Sequence, residues 1–106
     1  MSTPRLEALT KFLEQEPTDA FTHYAIGLEY VSLKRYPEAI GKLQEVIALD
    51  LNYVAAYQQL GSLLAQLGRK EESLKILETG IEIGGRLGDT HAQEEMQEII
   101  DALGLE

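Results

Sequence analysis

The chain contains no cysteine and no tryptophan, and only three of its 106 residues are proline. Without thiols there is no disulfide framework, no thiolate metal site and no cysteine nucleophile, a composition that fits a reducing compartment. Basic residues are scarce too: 9 Lys and Arg stand against 18 Asp and Glu, for a net charge of −9. Nucleic acid and anionic membrane surfaces are bound by clustered cations, so neither is an expected partner. A basic partner fits this charge, and so does an acidic surface that merely keeps the protein dispersed. Long apolar runs are absent, which leaves no membrane span. The opening MSTPRLEALTKF lacks the apolar centre of a secretory signal, and the expected location is cytoplasmic. No nucleophile elbow, glycine-rich phosphate loop or metal-ligand spacing occurs. The chain is expected to be non-enzymatic, with no cofactor and no metal.

What is present is a repeat. AFTHYAIGLEYVSLKRYPEA, residues 20–39, returns 34 positions later as VAAYQQLGSLLAQLGRKEES. The shift carries Gly27 to Gly61, His23 to Tyr57, Ile26 to Leu60, Tyr30 to Leu64, Ala39 to Ser73 and Leu43 to Leu77. Self-similarity at such a period marks a helical repeat array. A mid-helix glycine costs roughly 1 kcal/mol relative to alanine, so Gly27 and Gly61 must offset that loss elsewhere. A missing side chain lets a partner helix approach. The small residues Ala39 and Ser73 are expected to face these glycines across the helix crossing.

These residues identify the family that the chain resembles. His23-x2-Ile26-Gly27-x2-Tyr30 followed by Ala39-x3-Leu43, and Tyr57-x2-Leu60-Gly61-x2-Leu64 followed by Ser73-x3-Leu77, resemble the tetratricopeptide repeat. The family's closing proline is replaced by Leu51 and Gly85, and its late alanine by Val46 and Gly80. The resemblance covers residues 20–87 and implies an all-α, right-handed α-solenoid of two helix pairs. One domain over 1–106 is expected, with repeats at 20–53 and 54–87. A half-repeat helix at 4–16 precedes them, and a capping helix at 88–104 follows, for six helices in all.

The chain reads in order as follows. Thr3 caps the first helix and Pro4 occupies its first turn; Leu6, Leu9, Phe12 and Leu13 follow at helical spacing, with Leu9 and Phe12 at packing positions. Thr18 or Asp19 caps the second helix. Pro37 starts the third, Gly68 stops the fourth, and Asp89 or Thr90 caps the sixth. Gly80, Gly84, Gly85 and Gly88 crowd the fifth helix, where a frayed or kinked end is expected. The last helix presents Ala92, Met96, Ile99, Ile100 and Leu103 inward and Glu94, Glu95, Glu98 and Asp101 outward.

The function class implied by the resemblance is protein–protein interaction, with a peptide or partner segment held in the concave groove that first helices line. On the wheel of the second helix, His23, Ile26, Gly27 and Tyr30 face the partner helix, while Phe21, Tyr24, Leu28 and Val31 form another apolar sector. Together they span roughly 220°, more than one packing partner requires, and Thr22, Ala25, Glu29 and Ser32 remain for solvent. By resemblance, Phe21, Tyr24, Leu28 and Val31 lie on or beside the groove, unless the helix at 4–16 covers them as core. The same sector of the second repeat holds Ala55, Gln58, Ser62 and Ala65, flanked by Gln59 and Gln66, and Gln93 and Gln97 of the last helix continue it. Amides suit an extended backbone and aromatics anchor side chains. Some family members grip a terminal carboxylate with Lys, Arg and Asn; here the equivalent sites carry Tyr24, Leu28 and Gln59, so that activity is not implied. His23 is expected to pack, and His91 to bond locally or lie exposed. Lys34, Arg35, Arg69 and Lys70 mark two solvated turns. The alternative is homodimerisation through the face around Phe21 and Tyr24.

Overall fold

Each helix begins and ends where its local chemistry dictates. In the computed structural model, which describes residues 2–105, α1 runs Pro4–Gln15, α2 Ala20–Ser32, α3 Tyr36–Leu49, α4 Val54–Gln66, α5 Lys70–Leu87 and α6 Thr90–Leu103. No strand occurs among the described residues. Side chains cap three of the helices. Thr3 accepts from the N–H of Leu6 at 3.0 Å, Asp19 from Thr22 at 3.0 Å and Asp89 from Ala92 at 3.1 Å, each satisfying an orphan donor of a first turn. Asp19 also accepts from the Thr22 hydroxyl.

Three helices stop in the same way. Lys34, Gly68 and Gly88 adopt φ of 59°, 79° and 74°, and the N–H that follows each reaches back to the last turn. Arg35 donates to the Tyr30 carbonyl at 2.9 Å, Arg69 to Leu64 at 2.9 Å and Asp89 to Gly84 at 2.8 Å. These are Schellman closures. Each leaves only a short turn, so the chain doubles back and the next helix pairs with the one before it.

The chain divides after Leu51 into two units. In the first, α2 pairs with α3 and α1 packs on α2. In the second, α4 pairs with α5, and α6 packs on both. The first core gathers Leu6, Ala25, Ile26, Ala39, Leu43 and Val46; the second gathers Tyr57, Leu60, Leu63, Leu64, Leu77, Ile83, Met96 and Leu103.

Leucines of the partner helices fill the space beside the small residues. Gly27 is approached most closely by the residues that follow Ala39 on α3. A Cβ at Gly27 would lie 3.4 Å from Cγ and Cδ2 of Leu43 and from Cβ of Lys42. A Cβ at Gly61 would overlap Cδ2 of Leu77 and lie 2.5 Å from its Cγ. The glycine therefore receives a leucine one turn further along the partner helix, and both leucines are fully buried. Ser73 does face Gly61: its hydroxyl donates to the Gly61 carbonyl at 2.7 Å, which satisfies a polar group that would otherwise be buried without a partner.

α5 is not frayed at its glycines. It stays helical through Gly80, Gly84 and Gly85 and ends at Gly88. The bare backbone admits neighbours: a Cβ at Gly80 would lie 2.6 Å from Met96 Sδ and 2.7 Å from Tyr57 Cβ, and one at Gly85 would lie 2.7 Å from Gln93 Nε2. Packing of α6 thus offsets the low helix propensity. A second correction concerns α1. Leu6 is its buried residue, whereas Phe12 is 50% exposed.

Two measurements check this account. Gly61→Ala should lower unfolding free energy by about 1–3 kcal/mol through overpacking against Leu77. Gly27→Ala should stay within about 1 kcal/mol of wild type, because gained propensity balances closer contact. Equal losses in urea melts would contradict the difference between the crossings. Lys34→Gly should stabilise by about 1 kcal/mol, since a side chain in the left-handed region is strained; an unchanged or lower denaturation midpoint would refute it.

Candidate partner-binding surface

In the first unit the question is which side of α2 is left open. The four residues assigned to solvent by the wheel are, with one exception, covered. Thr22 and Ala25 are buried, and only Ser32 is exposed. Glu29 is tied to α1, accepting from the Thr3 hydroxyl at 3.0 Å and lying 3.4 Å from Arg5 Nε. α1 is therefore fastened to α2 at Glu29, on the side of α2 that also buries Thr22 and Ala25. The opposite sector keeps its openness: Phe21 is 65% exposed, and Tyr24, Leu28 and Val31 are half-buried along the same side. A wheel shows how wide an apolar arc is, but not where a third helix lands on it.

His23 lies under this surface as a packing residue. It is buried. Its Nε2 lies 2.8 Å from the Pro17 carbonyl, which can only accept, so Nε2 donates there, while Nδ1 faces the Lys42 ammonium at 3.3 Å and the Glu45 carboxylate at 3.6 Å. His91 is exposed, with Nε2 3.4 Å from Glu95.

In the second unit, Ala55, Ser62 and Gln66 of α4 are exposed and Gln58 and Gln59 half-buried. Gln58 donates to Glu95 of α6 at 3.2 Å. Gln93 is tied inward, donating to the Ile81 carbonyl at 3.0 Å. Gln97 is exposed and donates to Asp101 at 3.0 Å. A cleft of about 430 Å³ opens beside Gln58 and Ala65 of α4 and Glu95, Glu98 and Ile99 of α6. From the sequence the glutamates read only as a solvated face and Ile99 only as packing, not as parts of a site. Read alone, α6 is an amphipathic cap, and only its placement beside α4 turns its edge into a wall. Among the described residues, no group of three or more His, Asp and Glu is arranged to hold a metal ion. Nor does any buried side-chain polar atom there lack a hydrogen-bond partner. No helix of the described residues is long and apolar enough to cross a membrane.

A family profile described as TPR repeat matches residues 27–68, and one described as Tetratricopeptide repeat matches residues 54–83. The chain belongs to the tetratricopeptide repeat family. Solved structures agree on the fold. The TPR2B domain of yeast Sti1 in its pHsp70 complex superposes with a TM-score of 0.87 at 19% identity, covering 92% of this chain and 78% of that one. A tetratricopeptide repeat domain protein from Salinibacter ruber gives 0.76 at 29% identity, over 83% of this chain and 100% of its own. A protein from Bordetella parapertussis gives 0.82 at 22% identity, over 97% and 89%. No curated protein matches the chain by sequence. In this tetratricopeptide chain the departures from the family pattern have physical counterparts. Val46 is fully buried, and Gly80 yields its space to Met96 and Tyr57.

The turn inside each tetratricopeptide pair carries an exposed ion pair. Arg35 donates to Glu38 at 2.9 and 3.1 Å, and Arg69 to Glu72 at 2.7 and 2.8 Å. The Arg35 guanidinium also stands 4.8 Å over the Tyr30 ring. These hydrogen bonds hold the Glu38 and Glu72 carboxyls below their ordinary value and push Arg69 up. A carboxyl depressed by folding contributes stability above its unfolded value and loses it as pH falls through its folded value. Carboxyl ¹³C titration of the wild type should place both glutamates below the ordinary value of 4.5. Arg35→Ala should bring Glu38 back toward that value and leave Glu72 unmoved. A Glu38 midpoint indifferent to Arg35 would contradict the hydrogen-bond origin.

Proposed function

We propose that the chain is a non-enzymatic protein-interaction module that docks a peptide or partner segment on its first helices, in the groove that such helices line in tetratricopeptide proteins. One observation carries this reading: Phe21 is 65% exposed at the edge of an apolar side of α2 that α1 leaves uncovered. An aromatic with two rotatable side-chain angles makes a low-entropy anchor. Tyr24, Leu28 and Val31 extend it within the first unit. In the second unit the same sector is polar and carries Ala55, Gln58, Gln59, Ser62 and Gln66, suited to bonding an extended backbone. Gln97 presents a further amide on α6, while Gln93 serves mainly to hold Ile81. The Sti1 neighbours are complexes with pHsp70 and pHSP90, which supports capture of another protein by arrays of this kind.

The same exposed aromatic suits self-association, and the two readings separate by experiment. Light scattering over a concentration series should find a monomer. Affinity capture with the intact chain should retain a protein that Phe21→Ser loses. The variant should melt within about 0.5 kcal/mol of wild type, because an exposed side chain contributes little to the core. A tight dimer that Phe21→Ser dissociates would make the face an assembly surface instead.

A further inference from the structure

The cleft of the second unit has a chemistry of its own. Its apolar lining is Ala65 of α4 and Ile99, Ala102 and Leu103 of α6. At about 430 Å³ it falls within the range of roughly 300–1,000 Å³ typical of ligand sites. Its mouth is built from acceptors. Glu95 and Glu98 line it from α6 and Gln58 from α4. Gln58 spends an amide hydrogen on Glu95 at 3.2 Å, and His91 lies 3.4 Å from the same carboxylate. A carboxylate offers about four lone-pair directions, so these neighbours leave acceptor capacity free.

The charge on the long walls of the cleft comes from α6 and is negative. α4 carries no charged residue between Val54 and Gln66. Apart from His91, every charged residue of α6 is acidic: Glu94, Glu95, Glu98 and Asp101. The cation in the lining is Lys70, at the first residue of α5.

We propose that this cleft selects a partner segment in which a Lys or Arg neighbours an apolar side chain, the apolar group seated on Ile99 and Ala65 and the cation held by Glu95 and Glu98. This deepens the protein-binding reading above and rests on it. Arginine fits better than lysine, because its planar fork of N–H donors meets a carboxylate in two parallel bonds. A segment that is acidic, or that enters with a terminal carboxylate, meets like charge at the mouth and is rejected. The interaction acts over a few ångströms at a partly solvated rim, so it favours encounter and discrimination and weakens with salt.

The test uses phage-displayed random dodecapeptides selected on the full chain, followed by fluorescence anisotropy with a blocked synthetic peptide of the enriched sequence. Enriched peptides should carry Lys or Arg within a few residues of an apolar anchor. Glu95→Gln/Glu98→Gln should weaken that peptide about tenfold, and Glu94→Gln, on the outer side of α6, should leave it unchanged. The amides of Ala65 and Ile99 should shift on titration. Glu95→Lys/Glu98→Lys should prefer the same peptide with its cation changed to Glu. If peptides are enriched without a basic preference, or bind the double glutamine variant equally well, the cleft does not select charge and the module reading stands. If no peptide is enriched from the library, both readings fall.

Discussion

Helices in this chain can pair closely because a side chain is missing where they cross, and a leucine from the partner helix occupies the space. Leu77 lies where a Cβ of Gly61 would be, and Leu43 approaches Gly27 at contact distance. The remaining core depends on this approach. With the backbones close, Ile26 and Val46 are fully covered in the first unit and Leu60 in the second. The same device appears a third time, where Gly80 of α5 admits Met96 and the stem of Tyr57. Low helix propensity at these glycines is therefore not a weakness that the fold tolerates. It is the condition for dense packing between helices.

Close packing leaves little room for unsatisfied polar atoms, and two of the three buried polar side chains are matched to backbone carbonyls, the third, Thr22, to the Asp19 carboxylate. Ser73 donates to the carbonyl of the glycine it faces, and His23 to the carbonyl of Pro17. The two crossings solve one problem differently. Where the first repeat has Ala39, which asks for no partner, the second has Ser73, whose hydroxyl finds one. In both pairs the turn is fastened by an arginine and a glutamate three residues apart, outside the core. Because these pairs are exposed, they tune the turn more than they hold the fold.

The openness of the candidate surface follows from where α1 and α6 land. α1 packs on α2, and Arg5 and Thr3 fix it there through Glu29. That choice leaves Phe21 in water. α6 packs on α4 and α5 through Ala92, Met96 and Leu103, and its acidic edge then borders the cleft beside Gln58. The two units thus differ in the character of their open faces, one aromatic and one rich in amides and carboxylates.

Much of this was legible in the residues themselves. The spacing of Gly27 and Gly61 disclosed the repeat, Thr3, Asp19 and Asp89 marked helix starts, and Gly68 marked a stop, because capping and periodicity are local properties. Contacts between distant residues were not legible. Glycine clustering in α5 looked like a weak helix end until Met96, Tyr57 and Gln93 filled the gaps. Thr22 and Ala25 looked like solvent positions, yet packing buries them, and the leucines that reach Gly27 and Gly61 could not be read from the spacing. Sequence alone determined which stretches are helical and which faces are apolar, since each helix carries its own period and caps. Only the tertiary structure decided which apolar face is covered and which side chain fills each bare stretch of backbone. That choice depends on where a third helix packs, and a wheel drawn for one helix holds no record of it.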